Sequence, residues 1–390
     1  MKKYKLQLSI ITCLVLFGCI TEYEPKGIDE VAGILVVEGF ITDDETVITL
    51  SRSVHLSDEF GFTNAHFVND ARVFVESVDV EGNDGTQWEA EPHNFGWGWW
   101  TPRNGRYTIN NGKLNPNRKY RLRIEIEEVD KNSEDCFTDS WGMLVCPTKT
   151  YVYLSDFSHP IITPEIDSVF WMKRGQGQPV MIHVATHSSD NSVLYYRWSY
   201  REDWEINSEI FAQGFPFRCW GTATSRGLLV GSAERTVFGR LTERILEIHP
   251  TNRRLSVLYR IIVTQNAISK RAHDYFENIK KNSQLTGSIF SPIPSELRGN
   301  IVCINDTGRP VIGFVEVSTT TQRRLYIYRH DGAYERPYSN CYVRSTVDML
   351  DRYGTIPLNY VSLGPGAWAL HICVDCTFFG TEQRPDDWPR

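Results

Sequence analysis

From Gly33 onward the chain is written in period two. "ILVVEGFIT" and "TVITLSRS" flank Asp43-Asp44; "ARVFVESVDV" runs into "EGNDG" before "TQWEAEP"; "GRYTI" and "YRLRIEIEEV" flank "NNGKLNPNRK". Side chains on a strand alternate between faces, so each run offers one apolar face, and the Gly/Asn/Pro clusters between runs are hairpin punctuation. Short strands at this spacing, with no helix between them, predict a β-sandwich of Ig-like size over residues 33–130.

Residues 131–163 hold few periodic runs and are read as an inter-domain excursion. A second strand series occupies 164–390: "IDSVFWMK", "PVMIHVATHS", "VLYYRWSYREDWEI", "LLVGS", "RILEIHP" and "RLSVLYRIIVTQN". One helix interrupts it, predicted over 269–281, where Ser269 is a fair N-cap, Ala272, Tyr275, Phe276 and Ile279 fall at helical spacing, and Gly287 lies beyond the end. Strands resume at "NIVCI", "VIGFVEVST" and "RRLYIYR", and "AWALHICVDCTFF" reads as a last strand. The expected fold class is all-β: two β-sandwich (Ig-like) domains, the second larger with one inserted helix. With 390 residues, 41% of them hydrophobic, the chain can bury both cores.

The first residues carry a different signal. Lys2, Lys3 and Lys5 precede an apolar run from Leu6 to Phe17, too short for the roughly 20 residues a spanning helix needs and suited to a secretory leader over 1–18. Leu16-Phe17-Gly18-Cys19 resembles a bacterial lipobox, with Phe17 bulkier than the usual occupant, which makes Cys19 the expected lipidation site. A multiply acylated N-terminus is a durable anchor at roughly 0.8 kcal/mol per buried CH₂. Residues 19–32, polar and acidic, read as a tether. Ile20 and Thr21 lack the Asp of an inner-membrane retention signal, and Glu22 and Glu24 resemble an acidic surface-export signal. The expected location is therefore the outer membrane, facing the exterior.

Loss of 1–18 takes away three lysines and moves the formal charge from −7 to −10, which argues against nucleic-acid partners. The remaining cysteines are Cys136, Cys146, Cys219, Cys303, Cys341, Cys373 and Cys376, disulfide candidates first in an oxidising compartment. The C-x-x-C of Cys373 and Cys376 lacks the βαβ context of a redox motif and the second Cys/His pair of a zinc site. On a strand, two residues three apart face opposite ways, so each could reach a different partner. Cys136 and Cys146 bracket "FTDSWGMLV", as a local bridge would. Cys303, in the apolar "NIVCI", is the expected unpaired thiol.

Chemical candidates are few. "FGWGWW" sets Trp97, Trp99 and Trp100 in a stretch that could form an aromatic platform for a glycan or peptide; the competing reading buries Trp97 and Trp99 on one strand face. His183 and His187 lie some 13 Å apart along a strand, too far for one metal. Asp79 to Gly85 faintly resembles a calcium loop but has Gly85 one position late, and a hairpin turn is expected there. Asp203 and Glu205 share a strand face as an acid/base pair would, although exposed strand charges are the commoner explanation. Ser232 and Ser288 lack a nucleophile-elbow context. No metal site and no cofactor are expected.

Several stretches together are similar to a family: "LVVEGFIT" with "VITLSRS", "PEIDSVFW", "YYRWSYREDWEI" followed by Cys219-Trp220, "VTQNAISKRAHDYFENIKKNSQLTGSIFSPIPSELRGNI", and Cys373-Val374-Asp375-Cys376 with Gly380 and Trp388. They resemble the Bacteroidota lipoproteins grouped as domain of unknown function family 4249. The resemblance implies an exported outer-membrane lipoprotein encoded near TonB-dependent receptors, and supplies no catalytic residue. It also implies that two bridges join Cys219 and Cys341 to Cys373 and Cys376, in either pairing, pinning the C-terminus. The expected function is a non-catalytic accessory to a TonB-dependent transporter, in ligand capture or gating. A surface adhesion or glycan-binding module is second, a hydrolase third.

Overall fold

The structure, a computed structural model, describes residues 33–53, 66–91, 104–130, 133–140, 143–236, 239–285 and 299–389. The expectations for the leader 1–18, Cys19, the tether 19–32, Trp97, Trp99, Trp100 and Ser288 fall outside them. The first strands are β1 (Leu35–Ile41), β2 (Asp44–Arg52), β3 (Arg72–Asp79), β4 (Thr86–Glu89), β5 (Arg106–Gly112) and β6 (Arg118–Val129). A two-strand hairpin of β7 (Phe137–Thr138) and β8 (Leu144–Val145) leads to β9 (Thr148–Ser155). One sheet holds β1-β2-β5 and the other β9-β6-β3-β4. β6 shows why: Tyr120, Leu122, Ile124 and Ile126 are buried, while the residues between them keep contact with water. They meet Leu35, Val37, Ile48, Leu50 and Ile109 of the facing sheet, each large side chain contributing roughly 1.5–3 kcal/mol by leaving water.

The second unit is built from β10 (Ile166–Met172), β11 (Val180–Thr186), β12 (Tyr195–Asn207), β13 (Arg218–Thr224), β14 (Leu229–Ser232), β15 (Leu241–Ile248) and β16 (Leu258–Ala267). Sheet β10-β11-β15 faces a sheet centred on β12 and β16. Ile182 and Val184 from one meet Trp198, Ile261 and Val263 from the other. Helix α1 (Lys270–Leu285) then begins where expected: the Ser269 hydroxyl accepts the Ala272 N–H at 3.2 Å. It runs four residues past 281, since nothing up to Leu285 breaks a helix.

After α1 the chain returns to the first sandwich. β17 (Ile301–Cys303) pairs with β9, while β18 (Val311–Gly313) and β19 (Glu316–Val317) run parallel to β1. The stretch read as an excursion thus supplies β9, and the stretch read as wholly second-domain supplies three strands of the first sandwich. The physical reason is the open edge of β1, whose N–H and C=O groups need a partner. Gly313 (φ 156°) lets β18 come that close, because a Cβ there would lie 2.5 Å from the Val37 carbonyl oxygen. β20 (Thr320–Tyr328) then rejoins the second unit beside β16.

The C-terminal segment holds β21 (Arg344–Ser345), α2 (Thr346–Tyr353), β22 (Tyr360–Gly364), β23 (Ala367–Leu370) and α3 (His371–Val374). Among the described residues the expected single helix therefore becomes three, and the expected last strand stops at Leu370. Cys373 lies in α3 and Cys376 in a following 3₁₀ turn, so helical turns, not strand alternation, aim their sulfurs apart.

Candidate functional site

Where the two sandwiches meet, β1, β12, α1 and the turn after β18 enclose a cleft of about 370 Å³. The helix supplies Tyr275, Phe276 and Ile279, the same stripe that the 3.6-residue spacing makes apolar. Phe276 stacks on Phe40 with ring centroids 6.4 Å apart, and Tyr275 packs against Phe314 at 5.6 Å. Trp198, next to Arg197 on β12, contributes to the lining while its indole points into the second core, its N–H donating to Gln265 Oε1 at 2.8 Å.

Into this apolar lining β12 delivers Arg197. Its guanidinium carbon sits 4.9 Å from the Phe40 ring centroid and 4.7 Å from that of Phe276. Cation–π contact covers the guanidinium plane but leaves its in-plane N–H donors unused. Among the described residues Arg197 makes no side-chain hydrogen bond and no ion pair. Burial lowers its pKa, with the distant Glu38 carboxylate only partly opposing. Beside it, Tyr275 is 6% exposed, and its hydroxyl lies near the Gly313 backbone without a well-formed hydrogen bond. Burial pushes that phenol up to about 12. A positive charge and a hydroxyl donor, both short of acceptors, therefore share one apolar cleft.

The disulfides are Cys136–Cys146, Cys219–Cys376 and Cys341–Cys373, with Cys303 buried and free. The last two bridges choose between the pairings left open by the sequence. Asp203 and Glu205, expected as exposed strand charges, are instead buried beneath the C-terminal tail. Asp203 ion-pairs with Arg260 at 2.7 Å, both fully buried, and Arg260 also holds Asp387 at 2.9 Å. Glu205 accepts from the Trp388 indole at 3.2 Å and pairs with Arg218 at 3.1 Å. Both carboxylates are thereby tied to the tail and its supports.

His183 stacks on Phe170 while His187 pairs with Asp167, so the two histidines have separate neighbours. Asp79 accepts the Asn83 N–H at 2.6 Å in the turn between β3 and β4. Ser232 accepts from the Glu234 N–H at 3.3 Å. No cluster of three metal-ligating side chains occurs among the described residues. No helix among them is long and apolar enough to cross a membrane.

Among the described residues, exposed apolar side chains include two groups near the disulfides. The hairpin closed by Cys136–Cys146 exposes Phe137 and Leu144 by 61% and 65%. The C-terminal segment exposes Tyr338, Val347, Leu350 and Leu358.

Residues 20–136 and 144–324 match the family described as Domain of unknown function (DUF4249). The chain belongs to this family. No curated protein matches it significantly. Every residue of the DUF4249 cleft named above falls inside the matched segments. The described residues of the gap between them, 137–140 and 143, lie within the disulfide-closed hairpin, and the C-terminal segment lies beyond the match.

Sequence reasoning quoted Arg197 inside "YYRWSYREDWEI" without singling it out. The available signal was a strand with a charge between two large aromatics, Tyr196 and Trp198, both of which are buried. Tyr275 was legible only as one of the helix's apolar positions.

Proposed function

We propose that this chain is a non-catalytic lipoprotein, anchored through Cys19 to the outer face of the outer membrane, that captures a small ligand beside a TonB-dependent transporter. The observation that carries ligand capture is the cleft holding an Arg197 without an anionic partner. Keeping a desolvated charge uncompensated costs stability, and binding sites are where such costs are retained. The lipobox-like Leu16-Phe17-Gly18-Cys19 supports the anchor. The apolar side chains exposed on the stapled hairpin and the C-terminal segment support a protein partner.

The test is a pull-down of the full-length protein in mild detergent from its native outer membrane, with mass spectrometry of whatever accompanies it. Stoichiometric recovery of a β-barrel receptor, lost when Cys19 is changed to Ser, is the expected result. Recovery of the protein alone would overturn the transporter partnership, and glycan binding that depends on Trp97 and Trp99 would replace it with the adhesion reading.

A further inference from the structure

Arg197 is held in place by two phenylalanine rings, and neither is a counterion. Stacking fixes the plane of the guanidinium and leaves its edge, the part that forms paired hydrogen bonds to a carboxylate, without an acceptor. Among the described residues Arg197 is half-buried and has no ion-pair partner, and the covered Tyr275 hydroxyl in the same cleft has no hydrogen-bond partner, whereas buried polar groups in folded proteins are nearly always paired. Arg197 lines the cleft with its hydrogen-bonding edge unsatisfied, so a ligand oxyanion can satisfy it.

The rest of the lining narrows the class. Phe276, Phe314, Ile279 and Ile312 present apolar surface, which a bare inorganic ion could not use. Glu38 and Arg226, both exposed on the cleft wall, offset each other, leaving the single charge of Arg197 for a singly charged guest. The volume, about 370 Å³, lies at the small end of ligand pockets, which run from about 300 to 1,000 Å³. We propose that the cleft binds a small monocarboxylate with an apolar body, its carboxylate on Arg197 and its body against Phe276 and Phe314. This deepens the ligand-capture reading and rests on it.

The experiment is isothermal titration of the purified full chain in detergent with 3-phenylpropanoate, hexanoate and decanoate. The amide of the first and inorganic phosphate serve as controls, and the shift of Tm on ligand addition gives a second readout. The expected result is saturable binding of at least one carboxylate, with the amide and phosphate each at least tenfold weaker. Arg197→Met should lose tenfold or more, in line with one charge-assisted hydrogen bond. Arg197→Met should fold with an unchanged or higher Tm, because it removes an uncompensated charge, and carboxylate should no longer raise that Tm. Should it fail to fold, Arg197→Lys, which keeps the charge but loses the two-donor edge, provides the comparison, with a severalfold loss expected. Equal binding of amide and carboxylate, tighter binding of phosphate, unchanged affinity in Arg197→Met, or no binding by any of the three carboxylates would each overturn the proposal. A barrel recovered by pull-down with no carboxylate bound would remove the ligand class and leave the partnership standing; carboxylate binding with no barrel recovered would do the reverse.

Discussion

Arg260 and Asp203 sit opposite each other on β16 and β12, and neither side chain has any exposed surface. Arg260→Met would leave the buried Asp203 with only the half-exposed Arg201 at 3.0 Å and Asp387 without its buried partner, so it should lower stability by about 2–4 kcal/mol. Adding Asp203→Leu should recover most of that, read as urea midpoints for the two variants. The burial was not legible in the sequence. Strand alternation placed Asp203 and Glu205 on a shared face correctly, but what covers that face is a tail some 180 residues later, ending in Asp387 and Trp388. A second residue-scale prediction concerns pH. Burial alone would raise the Glu128 carboxyl, but hydrogen bonds and charge from Arg309 and Arg52 outweigh it and hold it below its ordinary 4.5. A depressed carboxyl contributes stability above its unfolded value and loses it as pH falls through the folded one. Glu128→Gln should therefore cost about 1 kcal/mol at pH 7, after allowing for solvent screening. The gap should close as the urea midpoints are followed below pH 4.5.

At the scale of elements, the two long-range bridges and the local one should behave differently. Cys219–Cys376 closes a separation of 157 residues and holds the backbone pairing of Trp220 with Thr381, two bonds of 2.8 Å. Changing both cysteines to Ser should cost on the order of 2–5 kcal/mol and open the tail to trypsin at Arg384. The Cys136–Cys146 hairpin buries little, so the same change there should move global stability by no more than about 0.5 kcal/mol while exposing the hairpin to cleavage. Here the sequence was more informative. The helix start at Ser269, the Cys136–Cys146 bracket and the strands of the first 130 residues all rest on local rules of capping, spacing and alternation. The ending was misjudged because "HICVDC" is apolar and short, and a four-residue run of that kind fits a strand or a helical turn equally well by period.

Across the whole molecule, what escaped the sequence is pairing between distant segments. Nothing near β1 announces that its outer edge will be met by residues 311–317, and nothing in 144–155 says that β9 belongs to the sandwich before it. A fragment of residues 33–163 should accordingly fail to give a cooperative unfolding transition, since it lacks β17, β18 and β19. Adding a separately made 264–329 fragment should not rescue it to more than a minor degree, because those residues also belong to the neighbouring sheet through β20. Circular dichroism of the fragments, alone and mixed, decides this. The same wiring imposes a schedule. Leu35 leaves the ribosome early, yet Val311, its neighbour in the finished sheet, is made only on the order of 15–55 s later at ordinary elongation speeds. For that interval the nascent chain carries a sticky, half-finished β-edge. Its survival depends on being held unfolded or shielded until nearly the whole polypeptide has emerged.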